Sequence, residues 1–316
     1  MDCLCLGLLC ADIVCDPVPA LPNPGQIVET PHIELCLGGC AANTAFDLAK
    51  LGVDVGLGGC IGEDPFGDFL LQTLEEAGVQ TTGVSRCPQE STATSTVINV
   101  DGDDRRLISA VGANRLLTSN MISEGLIESA AIVHIGGFLL LDALESDQTL
   151  ERLRQARANG ALVMLDVIEV KDPAAMERVR RVLPFTDVLL PNRDEAALLT
   201  AQSNPWDQAQ VFRDAGARTV VITDGAHGTY VMSDGLRLRS EAYPTAFRGG
   251  TGAGDAFDAG FIAGHLNGED LRGCLRWGSA MGASCVRSTS ATASVFSKEE
   301  ALRFMENHTL HIHEVS

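Results

Sequence analysis

Basic side chains are scarce in this sequence. Its 316 residues include 23 Lys and Arg against 42 Asp and Glu, which leaves a formal net charge of −19. An electrostatic field of that sign repels nucleic acid backbones and anionic lipid headgroups. We therefore expect no nucleic acid partner and no membrane partner.

Long hydrophobic runs are also missing. The longest, residues 4–11 and 132–141, contain Gly or polar residues, and they fall short of the ~20 apolar residues that cross a bilayer. The first residues have no basic flank and no small-residue cleavage site, so they do not resemble a signal peptide. We expect a cytoplasmic protein.

Cysteines are present but lack the spacing of a metal site. The chain has 10 of them and no Cys-x-x-Cys motif, and this low density is typical of reduced, mostly buried thiols. His308, His311 and His313 come nearest to a metal pattern, but structural zinc needs a second ligand cluster. We interpret them as part of a solvated tail.

The sequence does contain a core and an alternation of strands and helices. Hydrophobic residues make up 45% of the chain, which is typical of a folded globular protein. Short β-branched or Leu-rich runs alternate with amphipathic stretches, which predicts an α/β fold with a parallel sheet covered on both faces. The predicted strands are 3–9, 53–57, 131–135, 162–166, 188–190 and 219–223. The predicted helices are 41–51, 66–77, 144–158, 205–215, 256–266 and 271–286.

Two segments interrupt this alternation. Residues 12–37 are rich in proline, and residues 91–110 have the pattern of a hairpin, with strands at 94–100 and 105–110 around a turn at 101–103. Because both are antiparallel in character, we predict that they pair as a small sheet that projects from the core as a lid. The predicted division is a core of residues 1–11, 38–90 and 111–316 and a lid of residues 12–37 and 91–110.

The most informative stretch is the glycine-rich segment 248–257, which leads into a predicted helix. Four glycines within six positions let backbone amides approach an anion, and the positive end of the helix dipole adds attraction. Gly249 and Gly254 have P-loop spacing, but Asp255 and Ala256 stand where that motif has Lys and Ser or Thr, which excludes a Walker-type site. No register gives Gly-x-Gly-x-x-Gly, so a dinucleotide fold is disfavoured.

A carboxylate beside an anion hole suits phosphoryl transfer. The amides of residues 252–254 would neutralise the phosphoryl group, while Asp255 accepts a proton from an attacking hydroxyl. This arrangement is that of a kinase. The alternative is that Asp255 only caps the helix.

Gly38 and Gly39 begin a second segment of this kind. Paired glycines before a helix permit a ligand to approach the backbone, and Asn43 in the first turn could bind hydroxyls of a polyol. Alternatively, the glycines serve helix packing and Asn43 caps locally.

Two later segments follow predicted strands, where α/β sheets bind ligands. Asn192 could approach phosphates and Glu195 could hold Mg²⁺ through water, or the two could form only a capping box. The turn from Thr223 to Gly228 could contact a nucleotide, or only join a hairpin. We expect His227 in that turn to be solvated.

Together, these segments resemble the ribokinase-like carbohydrate kinases of the PfkB family, over nearly the whole chain. The match is carried by Gly7-x4-Asp12, Pro24-Gly25, GGxxAN at 38–43, GxIGxDxFG at 59–67 and GAGD at 252–255. The resemblance implies a three-layer α/β/α sandwich with a mostly parallel central sheet and a β-sheet lid, commonly dimerised through the lid. It also implies transfer of the γ-phosphoryl group of ATP, with Mg²⁺, to a hydroxyl of a small carbohydrate.

The resemblance assigns roles to residues as well. Asp255 is similar to the base that deprotonates the acceptor hydroxyl, and the amides of Gly252, Ala253 and Gly254 resemble its anion hole. The residues expected to grip substrate hydroxyls are Asp12, Gly38, Gly39 and Asn43. Those expected to line the ATP site are Asn192, Thr223, Gly225 and Gly228, with Glu195 organising Mg²⁺.

Three departures from the family pattern carry consequences. Gly249-Gly250 stands where the family has Asp-Thr, whose Asp helps to bind an activating monovalent cation, and Ser290-Ala291 stands in place of Gly-Ala. We therefore expect no potassium activation. Residues 166–169 replace Asp-x-Asn-x-x-Arg, so no substrate contact is carried over to them.

The acceptor is the part that the sequence determines least. Val111-Gly112-Ala113-Asn114 resembles the ribokinase and fructokinase members and favours a free ribose-type or fructose-type sugar. A sugar phosphate would need a cationic cluster; the candidate arginines, which could equally be surface charges, are Arg105, Arg106, Arg115 and Arg248. A nucleoside would need aromatic stacking, and only 5% of the residues are aromatic. A sugar-binding or nucleotide-binding protein without turnover is the alternative from another class, but it would not need a base at Asp255.

Overall fold

The computed structural model describes residues 1–102, 106–168 and 170–315. Its strands are β1 (Cys3–Gly7), β2 (Cys10–Val18), β3 (Ile33–Gly38), β4 (Val55–Ile61), β5 (Gln80–Arg86), β6 (Thr94–Val100), β7 (Arg106–Ala110), β8 (Ile132–Gly136), β9 (Leu162–Leu165), β10 (Val188–Leu189), β11 (Thr219–Thr223), β12 (Thr229–Ser233), β13 (Leu236–Ser240) and β14 (Ile312–Glu314). Its α-helices are α1 (Cys40–Lys50), α2 (Pro65–Glu76), α3 (Glu124–Ser129), α4 (Asp147–Ala158), α5 (Ala175–Val182), α6 (Arg193–Thr200), α7 (Pro205–Asp214), α8 (Ala253–Leu266), α9 (Leu271–Cys285) and α10 (Lys298–Asn307).

The larger sheet has the strand order β14-β13-β12-β11-β10-β9-β8-β1-β4-β5. From β11 to β5 every neighbouring pair is parallel, whereas β11, β12, β13 and β14 pair antiparallel. The predicted α/β class and mostly parallel sheet are confirmed. The inner parallel strands are buried on both faces, because crossover helices cover each face, whereas the edge strand β5 is largely accessible.

Two hydrophobic cores lie on opposite faces of this sheet. Successive strand residues point to opposite faces, so Cys3 and Cys5 of β1 join one core while Leu4 and Leu6 join the other. Helices α1, α2, α8, α9 and α10 cover the first core, and α4, α5, α6 and α7 cover the second. This is the predicted three-layer sandwich.

The smaller sheet has the order β3-β2-β6-β7. The outer pairs are antiparallel as predicted, but the two segments join through a parallel pair, β2 with β6. The parallel pairing follows from the topology, because each segment enters the sheet from the same end of the core. Asp103 and Arg105 of the predicted hairpin lie outside the described residues, as does Glu169.

Asn114 ties the two sheets together. Its side-chain amide donates to the carbonyl oxygen of Leu9 (2.9 Å) and its Oδ1 accepts from the Leu9 N–H (3.2 Å). Leu9 joins β1 of the larger sheet to β2 of the smaller one. The side chain thus replaces a strand neighbour where the chain changes sheets.

The C-terminal residues differ from the prediction. They form β14, which pairs with β13 at the edge of the larger sheet, so the prediction of a tail is wrong, although His308, His311 and His313 are exposed as expected. Burial of Leu310 anchors this segment, while the side chains of His311 and His313 stay exposed. The pattern also missed α3, α5, α6 and α10. The first three have 6 to 8 residues and are too short to display a clear period, whereas α10 has 10 residues.

The ten cysteines are free thiols and most are buried, as predicted. In the described part of the chain, no helix combines the length and the apolar character that crossing a membrane requires.

Candidate active site

Helix α8 begins in the glycine-rich loop, and its first turn carries Asp255. Gly252 precedes the helix with φ 79°, and a Cβ there would lie 2.5 Å from the Cβ of Ala291, so only glycine fits. Gly254, in contrast, is exposed, and a Cβ on it would meet no atom within 4 Å. The first turn of α8 therefore faces open space, as anion binding at a helix N-terminus requires.

The amides of this turn differ in their availability. The Ala253 N–H donates to the Gly250 carbonyl oxygen at 3.3 Å. Within the described residues, the N–H groups of Gly252 and Gly254 donate to no protein acceptor. Gly252 and Gly254 are therefore the better placed donors of the predicted anion hole.

Asn43 reaches Asp255 from helix α1. Its Nδ2 donates to Asp255 Oδ2 at 2.8 Å, and it makes no cap of its own helix, whose N-cap residue is Gly39. Gly39 has φ 91°, and a Cβ on it would lie 2.5 Å from the Leu8 carbonyl oxygen. The paired glycines thus let α1 pack against the end of β1, and this packing carries Asn43 to the carboxylate.

Asp255 has the electrostatic setting of a general base. Burial raises its pKa to about 6, against the opposing effect of the Asn43 hydrogen bond. A carboxylate with such a pKa is mostly ionised at neutral pH and binds a proton more strongly than an exposed Asp does.

Other acidic groups surround Asp255, and the sequence pattern did not indicate them. The Cys40 thiol and one carboxylate oxygen each of Asp166 and Asp255 lie within 4.8 Å of one another. Asp258 lies one helical turn beyond Asp255 and pairs with His134. Burial raises the pKa of Asp166, Asp258 and Cys40. We name Cys40, Asp166, Asp255 and Asp258 the acid cluster.

Asp12 lies in β2 beside the glycine pair. It is 7% exposed and accepts a short hydrogen bond from Ser95 Oγ on β6. A Cβ on Gly38 would lie 2.2 Å from Asp12 Oδ2, so glycine at 38 leaves room for this carboxylate. Burial raises the pKa of Asp12, and the Ser95 hydrogen bond opposes that effect.

Asn192 and Glu195 form the capping box of α6. Asn192 Oδ1 accepts from the N–H groups of Asp194 and Glu195, and Glu195 Oε2 accepts from the Asn192 N–H at 2.8 Å. The capping box, which the sequence analysis gave as the alternative to a ligand-binding role, is therefore present. It holds Glu195 at the carboxyl end of the sheet. A carboxylate there is of the ligand class that Mg²⁺ prefers.

The predicted ATP residues meet at this same edge. Asn192 and Thr223 form a parallel β-bridge, and Gly225 is exposed with φ 50° and nothing within 4 Å of a Cβ. Gly228 differs, because a Cβ there would lie 2.1 Å from the Ser240 carbonyl oxygen. Tight packing on β13 thus accounts for Gly228, while Gly225 faces open space. We name Asn192, Thr223 and Gly225 the nucleotide edge.

An ion pair that the sequence analysis missed joins the two loops of this edge. Arg193 Nη1 lies 2.9 Å from Asp224 Oδ2. Arg193 follows Asn192, and Asp224 separates Thr223 from Gly225. The sequence did contain a signal for this ion pair, because the two residues carry opposite charges and each lies beside a predicted site residue.

The remaining candidate residues lie on the surface. Arg106, Arg115 and Arg248 are exposed, and His227 is solvated as predicted. In the part of the chain that the structure describes, the side chains placed beside Asp255 at the open turn of α8 are the amide of Asn43, the thiol of Cys40 and the carboxyl of Asp166.

Comparison with known proteins places this geometry in a family. The model of the pfkB family carbohydrate kinases matches residues 2–298. A ribokinase of Haemophilus influenzae is 29% identical over 309 residues, covering 96% of this chain and 97% of its own. A 5-dehydro-2-deoxygluconokinase of Clostridium perfringens is 29% identical over 292 residues, covering 88% and 86%.

Solved structures are similar over the same extent. An E. coli protein provisionally named Ribokinase II, in complex with ATP and Mg²⁺, has a TM-score of 0.83 at 25% identity, covering 97% of this chain and 99% of its own. Arabidopsis thaliana ribokinase complexed with ribose and ATP shares the fold with a TM-score of 0.83 at 23% identity, covering 96% and 98%. The fold, the GAGD turn with its open helix end and the family match agree: the chain belongs to the pfkB family of carbohydrate kinases.

Proposed function

We propose that this kinase transfers the γ-phosphoryl group of ATP to a hydroxyl of a small unphosphorylated sugar, of ribose or fructose type, with Asp255 as the general base. The observation that carries the proposal is the position of Asp255 at the open first turn of α8, bonded to Asn43. Burial raises the pKa of this carboxyl to about 6, which suits proton transfer near neutral pH.

The proposed reaction uses the groups around that turn. The acceptor hydroxyl gives its proton to Asp255, its oxygen bonds to the γ-phosphorus, and the bond to the β-phosphate oxygen breaks to release ADP. The amides of Gly252 and Gly254, with Ala253 between them, stabilise the negative charge of the phosphoryl group. Asn43 orients the carboxylate and, with Asp12, Gly38 and Gly39, contacts the hydroxyls of the sugar.

ATP and Mg²⁺ fit the nucleotide edge. In this proposal the phosphates lie at the open turn beside Gly254 and the rest of the nucleotide lies beside Gly225, where a Cβ would meet no atom within 4 Å at either position. Asn192 and Thr223 line the site between them, and Gly228 shapes the turn through its close packing on β13. Glu195 would hold Mg²⁺ through water, and the ion would neutralise phosphate charge when bound. The E. coli relative with ATP and Mg²⁺ supports this assignment.

The charges favour a free sugar over a sugar phosphate. The acceptor side is lined by the acidic side chains of Asp12, Asp166 and Asp255, and Asp255, with a pKa of about 6, is mostly ionised at neutral pH. Arg115 and Arg248, in contrast, lie exposed on the surface. A phosphate on the acceptor would be repelled by the ionised Asp255. The ribokinase and 5-dehydro-2-deoxygluconokinase relatives support the same choice.

We also propose a core-and-lid division, with the smaller sheet as lid and as dimer contact. Its apolar side chains Ile33 and Ile108 are 60% and 69% exposed on the same face of the smaller sheet, and exposed apolar side chains on one face favour an interaction surface. Light scattering should give a dimer mass for the wild type and a monomer mass for Ile108→Lys; a wild-type monomer contradicts this part of the proposal.

The proposed function is tested by ADP release from ATP and Mg²⁺ with a panel of free sugars, sugar phosphates and nucleosides. Asp255→Asn serves as the blank. Turnover with a free sugar that requires Asp255 supports the proposal, whereas turnover with only a sugar phosphate or a nucleoside overturns the substrate class. Thermal stabilisation by ATP without ADP release across the panel would instead indicate a binding protein.

A further inference from the structure

A buried histidine and aspartate pair lies beneath the proposed base. His134 Nε2 is 3.2 Å from Asp258 Oδ2, and the two residues are 0% and 2% exposed. On β8, Val133 and Ile135 point into the core on the far side of the sheet, so His134 points toward α8. The imidazole therefore reaches across from the sheet to the helix that carries Asp255.

Asp258 is the link between this pair and Asp255. The two aspartates are three residues apart on α8, and such residues are neighbours on one helix face, with Cβ atoms about 5–6 Å apart. At that range, and with Asp258 2% exposed, the two carboxylates interact more strongly than they would in water. Protonation of Asp255 therefore responds to the charge on the pair.

If the role of this buried pair were only structural, it would destabilise the folded state. Burying polar, ionisable side chains costs desolvation free energy that well packed apolar residues would avoid. His134 Nδ1, moreover, is buried with no hydrogen-bond partner among the residues that the structure describes. A contribution to Asp255 gives a reason for an ionisable pair at a site where apolar residues would pack.

We propose that His134 and Asp258 are positioning residues that set how tightly Asp255 holds the proton of the acceptor hydroxyl. The inference rests on the proposed function of Asp255. The Asp258 carboxylate favours the protonated form of Asp255, and a positive His134 favours the ionised form. The electrostatics of the site agree with this: the charge of Asp258 raises the pKa of Asp255, and the charge of His134 lowers it.

Other titratable groups face the pair and stay unchanged in the test. They are Cys5 on β1, Cys40 on α1, Asp166 after β9 and Asp255 on α8. Because these groups are common to all variants, a difference between variants reports the pair alone.

The experiment compares the pH dependence of kcat/KM for wild type, Asp258→Asn and His134→Gln, with the exposed His265→Gln on the same helix as the matched control. We expect the acid limb to move to lower pH in Asp258→Asn and to higher pH in His134→Gln, each by about 0.5 unit or more. The double variant should lie between them. A purely structural role would lower activity without moving the limb in opposite directions.

A second measurement separates this inference from the proposed function. Carboxyl ¹³C NMR titration, with Asp255→Asn to assign the resonance, reads the protonation of Asp255 without turnover. An Asp255 resonance that titrates at the same pH in Asp258→Asn and wild type overturns the inference, even if Asp255 is the base. Should His134→Gln not fold, the isosteric Asp258→Asn decides alone, because an unmoved limb or resonance contradicts the inference. Turnover that persists in Asp255→Asn overturns the proposed function instead.

Discussion

The acid cluster and the nucleotide edge lie at the same end of one sheet but hold their charges in opposite ways. In the acid cluster, carboxyls lie beside one another: burial and the nearby acidic groups raise the pKa of Asp166, and burial raises the pKa of Asp258 against the opposing effect of His134. At the nucleotide edge, Arg193 and Asp224 form an opposite-charge pair with Arg193 43% exposed. Burial tunes groups for proton transfer, whereas open turns and paired charges shape a binding surface.

This comparison predicts that changes in the acid cluster alter kcat and its pH dependence, while changes at the nucleotide edge alter the KM for ATP. The predictions below test that division, beginning with the largest expected effect.

The largest effect is expected for Asp255→Asn. The amide keeps the shape of the side chain but accepts no proton, so we expect kcat to fall by about 10² or more. ATP binding, measured by calorimetry, should be unchanged. In the wild type, kcat/KM should fall as the pH drops below about 6, because the carboxylate with its raised pKa becomes protonated. Unchanged turnover in the variant would remove Asp255 from the mechanism.

A smaller effect is expected for Arg193→Ala. Loss of the pair with Asp224 loosens the two loops of the nucleotide edge, and a partly exposed ion pair contributes up to about 1 kcal/mol, or about fivefold in KM for ATP. The kcat at saturating ATP should stay near the wild-type value. Arg303→Ala, which removes the exposed pair with Glu299 on α10, is the control.

The reversed pair, Arg193→Asp with Asp224→Arg, should restore part of the affinity for ATP. A fall in kcat with an unchanged KM would break the division between the two regions.

Asp47→Asn should change stability rather than binding. Asp47 is fully buried, neither carboxylate oxygen has a hydrogen-bond partner among the described residues, and burial raises its pKa well above the usual value. The folded state thus holds a proton that the unfolded state releases, so stability falls as the pH rises from about 4. The uncharged amide in Asp47→Asn removes this loss of stability at higher pH.

Differential scanning fluorimetry should give Asp47→Asn a Tm advantage over wild type that is larger at pH 8 than at pH 5, by about 2 °C or more. The exposed Glu128→Gln is the control. A Tm difference that does not depend on pH would contradict the assignment of a protonated buried carboxyl.

Potassium is expected to have no effect on the rate, and this is the last prediction in the series. Gly249 and Gly250 bring no carboxylate to the loop before α8, and the Cys285 thiol lies 3.3 Å and 3.0 Å from the carbonyl oxygens of Thr251 and Ala291. Replacing sodium by potassium in the ADP-release assay should leave the rate unchanged. A clear increase would show that backbone carbonyls suffice for a cation site.

Local features explain which predictions succeeded. The helix after the GAGD turn, the capping box of Asn192 and Glu195 and the alternation of strands and helices all depend on residues a few positions apart, which a pattern can show. The parallel pairing of β2 with β6, the edge strand β14 and the short helices α3, α5 and α6 depend on partners far along the chain. In the candidate site too, local features were predicted, whereas contacts between residues far apart in the sequence were not.

Local sequence patterns were enough to predict the fold class, the glycine-rich turn before α8 and the carboxylate in that turn, because turn geometry and helix starts depend on neighbouring residues. Only the tertiary structure decided that Asn43 bonds Asp255 and that His134 pairs with Asp258, contacts between residues 212 and 124 positions apart. The physical reason is that a pKa follows from burial and from nearby charges, and these exist only after the sheet and its helices have packed.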